Sequence, residues 1–87
     1  MAHLILFEHE GFFGRHMHVF RDVTSLVGAG FNDIASSIVI LEGNWEFFLN
    51  ENHGIKMGGT LGPGLYPSVT ATLGGGTNDQ LTSLRPV

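Results

Sequence analysis

The chain has no cysteine, so it can form neither a disulfide nor a thiolate-ligated metal site, and any redox compartment would suit it. Basic residues are scarce: four Lys and Arg face eight Asp and Glu, a formal charge of −4 with no basic stripe, and nucleic acid is not an expected partner. No apolar stretch is long enough to cross a bilayer as a helix. Met1-Ala2-His3 carries neither a charged leader region nor a cleavable apolar segment, so no secretory signal and no membrane association are expected. The serines lack a G-x-S-x-G context, and no glycine run opens a helix after a strand. Serine hydrolysis, P-loop chemistry and dinucleotide binding are therefore unsupported, and the chain is expected not to be an enzyme.

Glycine, by contrast, is abundant, with 13 among 87 residues. The glycines cluster between short runs rich in Ile, Leu, Val and Phe, which is the pattern of an all-β sandwich or barrel. Strands are predicted at residues 3–7, 15–20, 37–41 and 45–49, with a weaker one at 55–57. A helical turn is predicted at 23–26, where Asp22 or Thr24 could cap it. Residues 61–66 read as a connecting loop, and 67–73 as a short strand or helical turn. Phe7, Phe12, Phe20, Trp45, Phe47 and Phe48 are expected in the core or at hairpin corners, with Phe13 and Phe31 as candidates for exposure. Glu8, Glu10 and Glu51 are expected to be solvated charges on turns.

One phrase occurs twice. Asn32-Asp33-Ile34-Ala35-Ser36-Ser37 returns 46 residues later as Asn78-Asp79-Gln80-Leu81-Thr82-Ser83, each time after a glycine-rich stretch and before a strand-like run. A repeat of this length implies two copies of one supersecondary unit. Two four-stranded antiparallel units, each with a long return connection, describe a pair of Greek keys, and since neither can bury its apolar face alone they should pack face to face. The organisation read from the chain is one domain over residues 1–87, with the first key at about 1–42 and the second at about 43–87. The phrase also gathers a carboxylate, a hydroxyl and loop carbonyls, all hard oxygen donors, which points to calcium; the EF-hand loop pattern is absent.

Four motifs in order resemble those of a βγ-crystallin domain of the microbial and invertebrate calcium-binding type. Phe7-Glu8-His9-Glu10-Gly11-Phe12-Phe13-Gly14 matches the family's aromatic hairpin, an aromatic and four residues before aromatic-x-glycine. Both N-D phrases satisfy the family's [N/D]-[N/D]-x-x-[S/T]-S. Trp45 with Phe48 is similar to the tryptophan-bearing second key, and Leu61-Gly62-Pro63-Gly64-Leu65-Tyr66 to the tyrosine-containing connection. The resemblance implies an all-β fold of two Greek keys packed as an antiparallel sandwich. In the second hairpin, counted from Phe48, His53 takes the second aromatic position and Ile55 the glycine position. A β-branched residue is strained at positive φ, so this hairpin is expected to fold differently or to shift by one residue.

The resemblance implies two bound Ca2+ ions. It assigns side-chain oxygens to Asp33 and Asp79, main-chain carbonyls to Ile34 and Gln80, hydroxyls to Ser36 and Thr82, and first-turn carbonyls to Glu8 and Leu49. Each aspartate would serve the site whose other ligands come from the opposite key. Few carboxylates per site imply a Kd on the order of 10⁻⁶ to 10⁻⁴ M. The expected function is calcium binding that stabilises the fold of a monomer, with no protein partner indicated. One alternative is a structural or protein- or carbohydrate-recognition module in which calcium is only structural; another is a stability-only module like the lens members. The five histidines suggest a third, a transition-metal protein. His16 and His18 lie two apart and share a strand face, with His3 and His9 near in sequence. A zinc site needs three or four ligands in fixed geometry, so these histidines are read as solvated or partly packed.

Overall fold

A computed structural model describes residues 2–28, 30–31, 35–73 and 81–87. Its elements are β1 (His3–His9), β2 (Phe13–Val19), β3 (Ser37–Glu42), β4 (Trp45–Phe48), β5 (Lys56–Leu61), β6 (Gly64–Tyr66), α1 (Val69–Leu73) and β7 (Ser83–Pro86). They form a four-stranded sheet in the order β2-β1-β3-β6 and a three-stranded sheet in the order β5-β4-β7. All strand pairs are antiparallel.

The strict two-residue period of strands sets the two faces of the first sheet. Leu4 and Leu6 on β1 are fully buried, while His3, Ile5 and Phe7 between them point outward. Ile38 and Ile40 on β3 continue the inner face. Trp45, Phe47, Met57 and Leu84 supply that of the second sheet, and one cluster joins both sets with Leu26, Phe31, Val69, Leu73 and Leu81. Trp45 is fully buried and its indole Nε1 donates to the Glu42 carbonyl at 3.1 Å, so its one polar atom is satisfied at the turn between β3 and β4.

The sheets do not follow the order of the chain. β6 lies late in the sequence but pairs with β3, Ile38 opposite Tyr66. Conversely, Val23 lies early and forms an isolated bridge to Leu84 of β7. Each sheet is therefore completed by a segment from the other half: a full strand in one case, a single bridged residue in the other. This corrects the expected helical turn at 23–26. Val23 exchanges backbone hydrogen bonds with Leu84 in both directions, at 2.9 and 3.0 Å. Asp22, the proposed cap, instead places Oδ1 2.6 Å from His53 Nε2. The helix forms at α1, where Ser68 caps by accepting from the Ala71 amide at 3.3 Å.

Three further expectations are corrected. Phe31, a candidate for exposure, is buried (4 % exposed), and Phe20, expected in the core or at a hairpin corner, is 54 % exposed. Part of the predicted 61–66 loop is strand β6. The turn glutamates are not simply solvated: Glu8 pairs with Arg15, Ser68 Oγ donates to Glu10, and Ser25 Oγ to Glu51.

Candidate cation-binding loops

The last two residues of each N-D phrase dock on the first turn of their own half, and they do so twice in the same way. In the first half the Ser36 amide donates to the Phe7 carbonyl at 2.9 Å; in the second the Thr82 amide donates to the Phe48 carbonyl at 3.0 Å. Ser37 Oγ donates to the His9 carbonyl at 2.6 Å and accepts from the Phe12 amide at 3.0 Å. Ser83 Oγ donates to the Asn50 carbonyl at 2.5 Å and accepts from the His53 amide at 3.1 Å. Both serines are fully buried. A buried hydroxyl that both donates and accepts satisfies two backbone groups of a tight turn at once.

This arrangement places two of the predicted ligands of each site side by side. Glu8 follows Phe7, whose carbonyl holds Ser36, and Leu49 follows Phe48, whose carbonyl holds Thr82. Ser36 and Thr82 are buried, at 5 % and 7 % exposed. The opposite half reaches each phrase as well: the Val69 amide donates to the Ser36 carbonyl at 2.9 Å, and the Leu26 amide to the Thr82 carbonyl at 2.8 Å. The remaining predicted ligands, Asp33, Ile34, Asp79 and Gln80, lie outside the described residues.

The two turns are stabilised differently at their open ends. The Glu8 carboxylate accepts from the Arg15 amide at 3.3 Å and lies 3.5 Å from its guanidinium. That amide, with the Arg15 and His9 charges, holds the Glu8 carboxyl below the usual glutamate range. At the open end of the second turn the Leu49 amide donates to the Ile55 carbonyl at 2.7 Å. Its nearest carboxylate on β4, Glu46, is drawn to Lys56 and Arg85 at 3.0 and 2.9 Å, and these two hydrogen bonds lower its pKa.

Among the described residues no group of three or more His, Cys, Asp or Glu side chains is set to hold a metal ion. The carboxylates assigned to the two loops from sequence, Asp33 and Asp79, lie outside the described residues. Ser37 and Ser83 were not assigned a role from sequence. Their signal was present as the final serine of both phrases, and the structure makes them the pins that join each phrase to its turn.

A family model of Beta/Gamma crystallin matches residues 3–87. A beta/gamma-crystallin of Ciona intestinalis is 36 % identical over 85 residues, spanning 98 % of both chains. The solved Ciona intestinalis structure superposes with a TM-score of 0.88 at 35 % identity, covering 98 % of this chain and 99 % of that one. A βγ-crystallin from an archaeon follows with a TM-score of 0.87, 32 % identity and coverage of 99 % and 98 %. A transition-metal-ion-binding βγ-crystallin from Methanosaeta thermophila gives a TM-score of 0.81, 30 % identity and coverage of 95 % and 98 %. The chain belongs to the beta/gamma-crystallin family.

Proposed function

We propose that this βγ-crystallin domain is a calcium-binding module that holds two Ca2+ ions and is stabilised by them. The observation that carries the reading is the doubled scaffold. Ser36 and Thr82, both buried, donate their amides to the carbonyls of Phe7 and Phe48, the residues just before Glu8 and Leu49, so the two halves are held by the same hydrogen bonds. Such a set presents hard oxygens and no soft donor, which suits a cation that takes six to eight oxygens in flexible geometry.

In this reading Glu8 and Ile34 give carbonyls and Ser36 a hydroxyl to one ion, with the Asp79 carboxylate arriving from the other half. Leu49, Gln80 and Thr82 do the same for the second ion, with Asp33. The cross-half hydrogen bonds at the Ser36 and Thr82 carbonyls support this exchange, because they tie each phrase to a segment of the opposite half. An ion bound between the halves would stabilise the folded state alone. At about 100 times its Kd each ion adds roughly 2.7 kcal/mol, a large share of the roughly 5–15 kcal/mol typical of a domain.

The test is a calorimetric calcium titration of chelator-stripped protein with magnesium as competitor. Two ions at micromolar to submillimolar Kd, with a raised melting temperature, are expected. No heat and an unchanged melting temperature would overturn the reading and leave a crystallin scaffold without metal function.

A further inference from the structure

One short segment of each half lies across the hairpin of the other half, and the same three contacts hold both. Thr24-Ser25-Leu26 lies on the second hairpin. The Thr24 carbonyl accepts from the Asn52 amide at 2.8 Å, Ser25 Oγ donates to the Glu51 carboxylate, and the Leu26 amide donates to the Thr82 carbonyl at 2.8 Å. Pro67-Ser68-Val69 lies on the first hairpin. The Pro67 carbonyl accepts from the Gly11 amide at 3.0 Å, Ser68 Oγ donates to the Glu10 carboxylate at 2.8 Å, and the Val69 amide donates to the Ser36 carbonyl at 2.9 Å. Each serine oxygen also accepts an amide of its own segment, from Val27 at 3.2 Å and from Ala71 at 3.3 Å.

Packing of the two sheets accounts for part of this. Val23 bridges Leu84, and Tyr66 pairs with Ile38, so the residues just before each segment already complete a sheet edge. The serine–glutamate hydrogen bonds come on top of that. Glu10 and Glu51 are exposed, so these bonds bury no core; what they fix is the place of the segment on the hairpin.

We propose that Ser25 with Glu51, and Ser68 with Glu10, are positioning pairs for the two calcium sites, each pair acting on the site of the half it grips. The inference rests on the calcium reading above and adds residues that touch no ion. Each segment ends on a residue assigned to a site: the Leu26 amide holds the Thr82 carbonyl, and the Val69 amide holds the Ser36 carbonyl. From Leu26 the chain runs seven residues to Asp33, and from Val69 ten residues to Asp79. Those are the carboxylates assigned to the same two sites. An anchor this near in the chain limits the entropy lost when the carboxylate is fixed on the ion. A segment that lifts off its hairpin leaves its site incompetent, and apparent affinity falls with the docked fraction. The hydroxyl–carboxylate bond is charge-assisted, which makes it the side-chain contact that sets this fraction.

The test combines each serine variant with a protein that keeps one site: Ser36→Arg leaves the Thr82 site, and Thr82→Arg leaves the Ser36 site. In calorimetric calcium titrations, Ser25→Ala should weaken binding about threefold to tenfold in the Ser36→Arg protein and leave the Thr82→Arg protein unchanged. Ser68→Ala should do the reverse. Ser25→Thr and Ser68→Thr keep the hydroxyl and should restore the affinity. A role in packing alone would lower stability without sorting the two sites. Amide exchange without calcium reports release of the segment independently of the ion: Leu26 should exchange faster in Ser25→Ala, and Val69 in Ser68→Ala. Unchanged affinity, equal weakening of both sites, weakening that threonine does not restore, or unchanged exchange at both amides overturns the proposal and leaves the calcium reading standing. A parent that binds no calcium overturns that reading itself, and the proposal with it.

Discussion

The two aromatic hairpins, Phe7 to Gly14 and Phe48 to Ile55, reach the same turn with different residues. Both carry two successive left-handed residues: Gly11 and Phe12 (φ 72° and 68°) in the first, Asn52 and His53 (φ 56° and 60°) in the second. Both are pinned there by a buried serine. They part only afterwards. Gly14 is left-handed at φ 85° inside β2, whereas Ile55 is not left-handed and sits just before β5. The expected departure of the second hairpin is thus confined to residues 54 and 55, and the turn itself is kept. The serine contacts, rather than a glycine, hold the turn: two side-chain hydrogen bonds offset the left-handed cost, which is roughly 1–2 kcal/mol for an ordinary residue and lower for Asn or His.

The sharpest way to break this equivalence is to remove the pins. Ser37→Ala and Ser83→Ala should each cost about 1–3 kcal/mol, because each removes the hydroxyl that serves a part-buried amide and carbonyl of the turn. Urea denaturation would measure both, and a cost confined to one hairpin would show that the two turns are held differently. A smaller contrast separates the open ends. Gly14→Ala should cost at least about 1 kcal/mol, since a Cβ there meets His9 Cδ2 at 2.6 Å and Glu8 Oε1 at 3.0 Å at φ +85°. Ile55→Ala, at an exposed site, should stay within about 0.5 kcal/mol. Equal effects would mean that the hairpins do not differ at this position.

The smallest effect is the pH dependence of the first hairpin alone. The folded-state pKa of Glu8 is depressed, chiefly by the Arg15 amide. Its stabilising contribution is therefore full above the usual glutamate range and is lost as the pH falls through the depressed value. In that window the unfolded chain has already bound the proton and the folded chain has not. The melting-temperature gap between the parent and Glu8→Gln should narrow as pH drops from neutral toward 3. A gap that is constant with pH would remove the Glu8–Arg15 contact from the account.

Much of this fold is legible in the sequence. The strands at 3–7, 37–41 and 45–49 fall within two residues of β1, β3 and β4, because apolar period and glycine turns are local signals. The exchange of Val23 and β6 between the halves is not legible, because it depends on which distant strand edge is open. Asp22 looked like a helix cap but is engaged by His53, a partner 31 positions away in the chain. Phe20 and Phe31 traded places because aromatic content marks the core only on average: Phe20 stacks on His3 outside the sheet, while Phe31 joins the buried core cluster. The candidate sites were readable as a repeated phrase, and the structure adds how Ser36 and Thr82 meet the turns at Glu8 and Leu49.

The equivalence of the halves is tested most directly by counting calcium ions on Ser36→Arg and on Thr82→Arg, each checked for folding by its melting transition. Each substitution removes a hydroxyl ligand and puts a cation into one site only. The account predicts one ion bound by each variant and two by the parent. Two ions still bound at the parent affinity, or both lost from a folded single variant, would contradict it.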